Sequence, residues 1–84
     1  MDEAVLELDL HGCTVYQAEI AIDAALRRAK AGTYRIRVIH GSRGGTALRN
    51  MVRSRYSSHP RILRLEVGLN PGQTDLVLRE YSSN

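Results

Sequence analysis

Along this chain the apolar residues change their spacing in a fixed order, and that order constrains the fold more than any other feature. In Leu6-Glu7-Leu8-Asp9-Leu10-His11-Gly12 they alternate, so Leu6, Leu8 and Leu10 line one face of a strand and Glu7, Asp9 and His11 the other. From Val15 the period lengthens: Val15, Ala18, Ile22, Ala25, Leu26 and Ala29 share a helical face behind a Thr14/Gln17 capping box. Arg27, Arg28 and Lys30 suit the negative end of that helix, and Gly32 is its expected stop. Tyr34 to His40 is rich in β-branched residues and reads as a second strand. A second helix is expected from Gly45 or Thr46, with Leu48, Met51, Val52 and Tyr56 on its apolar stripe, stopping ahead of His59-Pro60. Residues 61–69 and 74–81 are two further strand candidates, joined around Asn70-Pro71-Gly72-Gln73, where a type II turn is expected.

The order is therefore βαβαββ, an α/β domain of two layers with a mixed four-stranded sheet and two helices. Right-handed crossovers would join the first strand to the second and the second to the third, leaving the last strand antiparallel. With 84 residues the chain is read as one domain, 1–84, with a small core that holds no Phe or Trp. No apolar run approaches the ~20 residues of a membrane span, and the N-terminus is acidic where a secretory signal would be basic. A cytoplasmic protein is expected, and the single Cys13 fits a reducing compartment. No apolar stripe is left over to demand an oligomer, so a monomer is expected, with the sheet edge near 74–81 as the place where pairing would occur.

If the first two strands run parallel, His11 and His40 both stand at carboxyl ends of strands, on the edge where open α/β sheets bind ligands. Asp9 would project beside His11, about 7 Å away along the strand. Each histidine is followed by a glycine, Gly12 and Gly41, which permits close approach of backbone to a ligand. Gly41-Ser42-Arg43-Gly44-Gly45 then leads into a helix N-terminus, offering N–H groups to an anion with Arg43 as a charged arm. It is neither a Walker A loop nor a dinucleotide fingerprint. Taken alone, such a loop is read as a tight strand-to-helix turn; two His-Gly pairs on one edge favour a site.

Charge supports an anionic partner. Residues 1–26 hold six acids and no Lys or Arg, whereas residues 27–64 hold eleven bases and no acid. Ten of those eleven are Arg, whose planar fork grips phosphate with two hydrogen bonds, so nucleic acid is the expected partner. Arg49 and Arg53, one helical turn apart, are candidates for a phosphate-contacting stripe. His11, Cys13, His40 and His59 show no zinc spacing, and the four tyrosines are too scattered for a stacking platform.

Leu8-Asp9-Leu10-His11-Gly12, a helix, then Val38-Ile39-His40-Gly41 with a glycine loop leading into Leu48-Arg49, resembles the Smr (small MutS-related) domain family. The resemblance implies a fold like the C-terminal domain of bacterial translation initiation factor three. It also implies nucleic-acid binding, with endonuclease activity on DNA or RNA in several members, some of them ribosome-associated. Its first motif falls on Asp9, His11 and Gly12, its second on His40 and Gly41. The family's His-Gly-x-Gly is altered here, because Ser42-Arg43 precede Gly44 and one extra residue precedes Leu48.

Phosphodiester cleavage needs a base for the attacking hydroxyl, an acid for the leaving oxygen and donors for the charge on phosphorus. His11 and His40 are the candidates for acid and base, Asp9 for orienting a ring. Gly12, Gly41, Arg43, Gly44, Gly45, Arg49 and Arg53 are the candidates for holding phosphate. In RNA the 2′-hydroxyl can attack, so this chemistry needs no metal, whereas water attacking DNA would call for a divalent cation at Asp9. An endonuclease acting on RNA or DNA is the expected function. The alternative is a non-catalytic module holding nucleic acid or a ribosomal surface by the same edge.

Overall fold

The computed structural model describes residues 4–43 and 46–80. Six elements follow the expected order: β1 (Val5–Asp9), α1 (Val15–Arg28), β2 (Arg35–Ile39), α2 (Thr46–Arg55), β3 (Arg64–Glu66) and β4 (Gln73–Val77). The capping box forms as the sequence requires, with Thr14 Oγ1 accepting from the Gln17 N–H at 3.1 Å and Gln17 Oε1 accepting from the Thr14 N–H at 3.0 Å. α1 stops at Ala29 rather than running to Gly32. Arg61 is the reason, since its guanidinium donates to the carbonyls of Leu26 and Ala29 and so satisfies the end of the helix from a distant loop. No helix among the described residues is long and apolar enough to cross a membrane.

The strands form one mixed sheet in the order β1-β2-β4-β3. β1 and β2 are parallel, β4 is antiparallel to both β2 and β3, and β3 runs with β2 but does not touch it. The crossover through α2 thus skips a strand position, which β4 fills by returning through a turn. This makes β4 interior, so residues 74–77 are not the free edge that the sequence pointed to; β1 and β3 are. β3 is also shorter than the 61–69 run, because Arg61 is drawn toward α1 and the backbone reaches β4 only at Leu63, whose N–H donates to Val77 at 2.7 Å.

Both helices lie on one face. Alternate strand residues Leu6, Leu8, Ile36, Val38, Leu65 and Leu76 join Ala18, Ile22, Ala25 and Leu26 of α1 and Leu48 and Val52 of α2 in a single apolar cluster. Tyr56 closes this core beyond α2; burial pushes its hydroxyl pKa up to about 12, and a 2.8 Å bond to Asp23 adds to the shift. The other face has no helix and is charged. Register sets Glu7, Arg37, Asp75 and Glu66 in one row across it. Arg37 grips Asp75 with two 3.0 Å bonds, and Arg35 bridges Asp75 and Glu66 at 2.9 and 3.0 Å. Burial pushes the Asp75 carboxyl up, but those guanidinium bonds together outweigh it and hold the pKa below its ordinary value.

Candidate active site

Parallel pairing continues one residue past β1, where the Leu10 N–H donates to Ile39 at 2.8 Å. The chain then turns sharply, and the Cys13 N–H closes onto the Leu10 carbonyl at 3.0 Å. Gly12, third in that turn, takes φ 83°, close to what a type II turn demands and a value that L side chains resist. A side chain at Gly12 would meet nothing within 4 Å, so this backbone is open to an approaching ligand.

The turn folds His11 back on Asp9. Their ring and carboxylate meet at 2.5 Å, from Nδ1 to Oδ1, and the same oxygen accepts the His11 backbone N–H at 3.3 Å. Both side chains are exposed, 72% for His11 and 56% for Asp9. The hydrogen bond from the ring, with that from the His11 backbone, lowers the Asp9 pKa, and the bond to the carboxylate raises that of His11 above its ordinary 6.5. With Nδ1 committed to Asp9, Nε2 is the nitrogen that faces a substrate.

His40 stands at the same edge but is turned inward, 1% exposed, on the helix side of the sheet. Its Nδ1 lies 3.1 Å from the Gly41 carbonyl and its Nε2 3.0 Å from Thr74 Oγ1. A carbonyl can only accept, so Nδ1 is the donor to Gly41, and Nε2 is engaged by the Thr74 hydroxyl. The ring presents no nitrogen to solvent and holds the Gly41 peptide instead.

Gly72 completes the loop from the other side. Its carbonyl accepts from the N–H groups of His40 and Gly41 at 2.9 and 3.0 Å. A Cβ at Gly72 would lie 3.2 Å from the Ser42 nitrogen and 3.3 Å from the Gly41 carbonyl carbon. The Asn70–Gln73 turn is therefore not type II: Gly72 has no positive φ, and glycine is needed there for close approach. Asn70 Oδ1 accepts from the Gly72 N–H at 2.8 Å and shapes the turn. Gly41 itself takes φ 90°, and a Cβ on it would sit 3.6 Å from His11 Cβ, which places the His11 turn directly against this loop.

The structure thus brings Asp9, His11, Gly12 and Gly41 together, with Ser42 and Arg43 exposed next to them. Gly44 and Gly45 lie outside the described residues. Arg49 sits in the first turns of α2 with its Nε buried and unpartnered among the described residues, and Arg53 is exposed one turn on. Thr74 and Gly72 were missed by sequence reasoning. Thr74 was findable, because in Thr74-Asp75-Leu76 it shares the inward face with Leu76, and a polar residue there needs a buried partner.

Tertiary contacts divide the basic block. Arg35, Arg37, Arg55 and Arg64 pair with carboxylates, Arg55 with Glu19 and Asp23 of the acidic segment, and Arg61 caps α1. Arg27, Arg28, Lys30, Arg43, Arg49 and Arg53 make no ion pair among the described residues. A cleft of about 560 Å³ opens at the far end of α1, lined by Arg27, Arg55, His59 and Arg61. Two of its guanidiniums are those already committed to carboxylates and helix carbonyls, so we place the candidate site at the carboxyl edge. No group of three His, Cys, Asp or Glu side chains suited to a metal converges among the described residues. Asp9 would be the carboxylate ligand of a hydrated divalent cation at this edge.

Residues 8–72 match the family described as the Smr domain, and this chain belongs to that family. Among solved structures it is similar to the Smr domain of Thermus thermophilus MutS2, at 32% identity and a TM-score of 0.79, over 89% of this chain and 99% of that one. A search of curated proteins found none that matches.

Proposed function

We propose that this Smr domain is a nucleic-acid endonuclease in which His11 moves the proton. The observation that carries the reading is the exposed 2.5 Å pair of Asp9 and His11, set against the Gly41 loop. Asp9 holds Nδ1 and leaves Nε2 free to take a proton from an attacking hydroxyl or return one to the leaving oxygen. The hydrogen bond to the Asp9 carboxylate raises the ring's pKa above its ordinary 6.5, which favours the charged form that can return a proton. The open backbone at Gly12, with the exposed Arg43 side chain, holds the phosphate. His40 is a positioning residue: it fixes the Gly41 carbonyl and so the course of the loop. In RNA the 2′-hydroxyl serves as nucleophile; on DNA, Asp9 would instead hold a divalent ion for water attack.

One observation favours a second reading. With His40 buried, one ring faces solvent at this edge, and acid and base roles fall to a single residue or to its substrate. A module that binds nucleic acid or a ribosomal surface without cutting fits that arrangement. End-labelled single-stranded RNA and DNA, incubated with EDTA or magnesium and with wild type or His11→Ala, separates the two. Cleavage that disappears in the variant supports the endonuclease; salt-sensitive binding without product at any pH supports the binding module.

A further inference from the structure

Among the described residues β3 is an outer strand, paired on one side with β4. Alternate residues of such a strand direct N–H and C=O groups away from the sheet, a template on which another strand can add. Natural edges are blunted by proline, bulges, lysine or brevity. β3 has brevity, three residues, but the segment around it reads apolar, plus, apolar, minus, apolar: Leu63-Arg64-Leu65-Glu66-Val67. Leu63 and Val67 are 57% and 54% exposed, flanking a Leu65 that packs on the core.

That pattern is complementary to itself. In an antiparallel pairing of two copies centred on Leu65, Arg64 of each copy lies opposite Glu66 of the other, and Leu63 of each, its N–H already held by Val77, faces Val67 of the other through its side chain. Opposite charges and apolar pairs directly across a ladder are the stabilising combinations, and no like charges meet. The same operation on β1, the other edge, sets Glu7 against Glu7 and Val5 against Asp9, so that edge repels its own copy. Arg64 and Glu66 already lie on the open face, their side chains 3.0 Å apart from Nε to Oε2, where a second pair can join them.

We propose that this chain associates with a second copy of itself through β3. The contact is isologous, with its two-fold axis normal to the sheet. It yields one continuous sheet with the helices of both copies on the same side and the two His11 edges pointing in opposite directions, both open. A ladder this short buries less than a standard interface, so the dimer is weak and concentration-dependent. The proposal does not depend on the activity proposed above.

Sedimentation equilibrium on the whole chain, at concentrations up to about 1 mM, is expected to show a reversible monomer–dimer exchange. Leu63→Lys/Val67→Lys sets lysine against lysine at both ends of the ladder and is expected to weaken the dimer at least tenfold. Because both positions are more than half exposed, its circular dichroism should match wild type. Arg64→Glu alone and Glu66→Arg alone each bring like charges together and should be monomeric, whereas an equimolar mixture of the two should form a heterodimer. A wild-type chain that stays monomeric over this range overturns the proposal. So does a dimer that the double lysine variant leaves unchanged, or a mixture that fails to pair.

Discussion

His11-Gly12 and His40-Gly41 stand at the carboxyl ends of adjacent parallel strands, and both glycines take a positive φ, 83° and 90°, yet the two rings have opposite fates. His11 lies one residue past the end of the sheet pairing, on a turn that leaves its side chain 72% exposed. His40 follows Ile36 and Val38 in the inward alternation of β2 and is covered by the helix layer. The partner decides the chemistry: a carboxylate two residues away makes His11 a titrating group, and a carbonyl and a hydroxyl make His40 a rivet. One dipeptide is thus exposed beside a carboxylate at one strand end and buried between a carbonyl and a hydroxyl at the next.

The comparison breaks most directly at His11. His11→Ala is expected to lower cleavage by about 10²- to 10⁴-fold while leaving the unfolding free energy essentially unchanged, since the ring is exposed. Single-turnover rates and urea titration together check it. Equal losses in both would mean that His11 too is structural.

His40→Ala should do the reverse in order of cause. Removing a buried ring leaves a cavity and strips Thr74 and Gly41 of their partners, at a cost of about 2–4 kcal/mol. Activity should fall because the loop is no longer held, and the remaining activity should keep the pH midpoint of wild type. A shifted midpoint would show that His40 takes part in the chemistry directly.

Gly72→Ala tests the loop's other support. A methyl group 3.2–3.3 Å from the Gly41–Ser42 peptide pushes that peptide away from Gly72, with an expected loss of about 1–3 kcal/mol in thermal or urea unfolding. If the loop holds phosphate as proposed, substrate affinity should weaken with it, because the Ser42 N–H moves with that peptide.

The smallest effect is a shift in pH. Asp9→Asn removes the carboxylate that raises the His11 pKa, so the kinetic midpoint should move down toward 6.5. In linkage terms, the raised His11 pKa gives the Asp9–His11 pair a contribution that is fully present below 6.5 and lost as pH rises through the folded value. The lowered Asp9 pKa removes the same contribution at the acid end, as pH falls through it. Full exposure keeps the stability effect small, so kinetics rather than denaturation is the sensitive readout. A midpoint that does not move in Asp9→Asn would disconnect the pair from catalysis.

Much of the fold was legible because its signals are local. Alternation in Leu6, Leu8 and Leu10, the Thr14/Gln17 box and the stripe Leu48, Val52 and Tyr56 each need only a few neighbouring residues to act. The Asp9–His11 pair was legible for the same reason, being two residues apart. Gly12 and Gly41 were read as room for a ligand; the structure adds that both hold a left-handed backbone.

The sequence by itself determined the order of six elements, the edge on which both His-Gly pairs lie and the carboxylate beside His11, because each depends on short-range periodicity or turn chemistry. Only the tertiary structure decided that β4 inserts between β2 and β3 and that Arg61 ends α1. It also decided that Arg35, Arg37, Arg55 and Arg64 of the basic block face carboxylates and that Thr74, 34 residues away, closes over His40. Those outcomes are set by which surfaces meet when the helices cover one face of the sheet, and contacts so far apart in the chain leave no periodic trace in it.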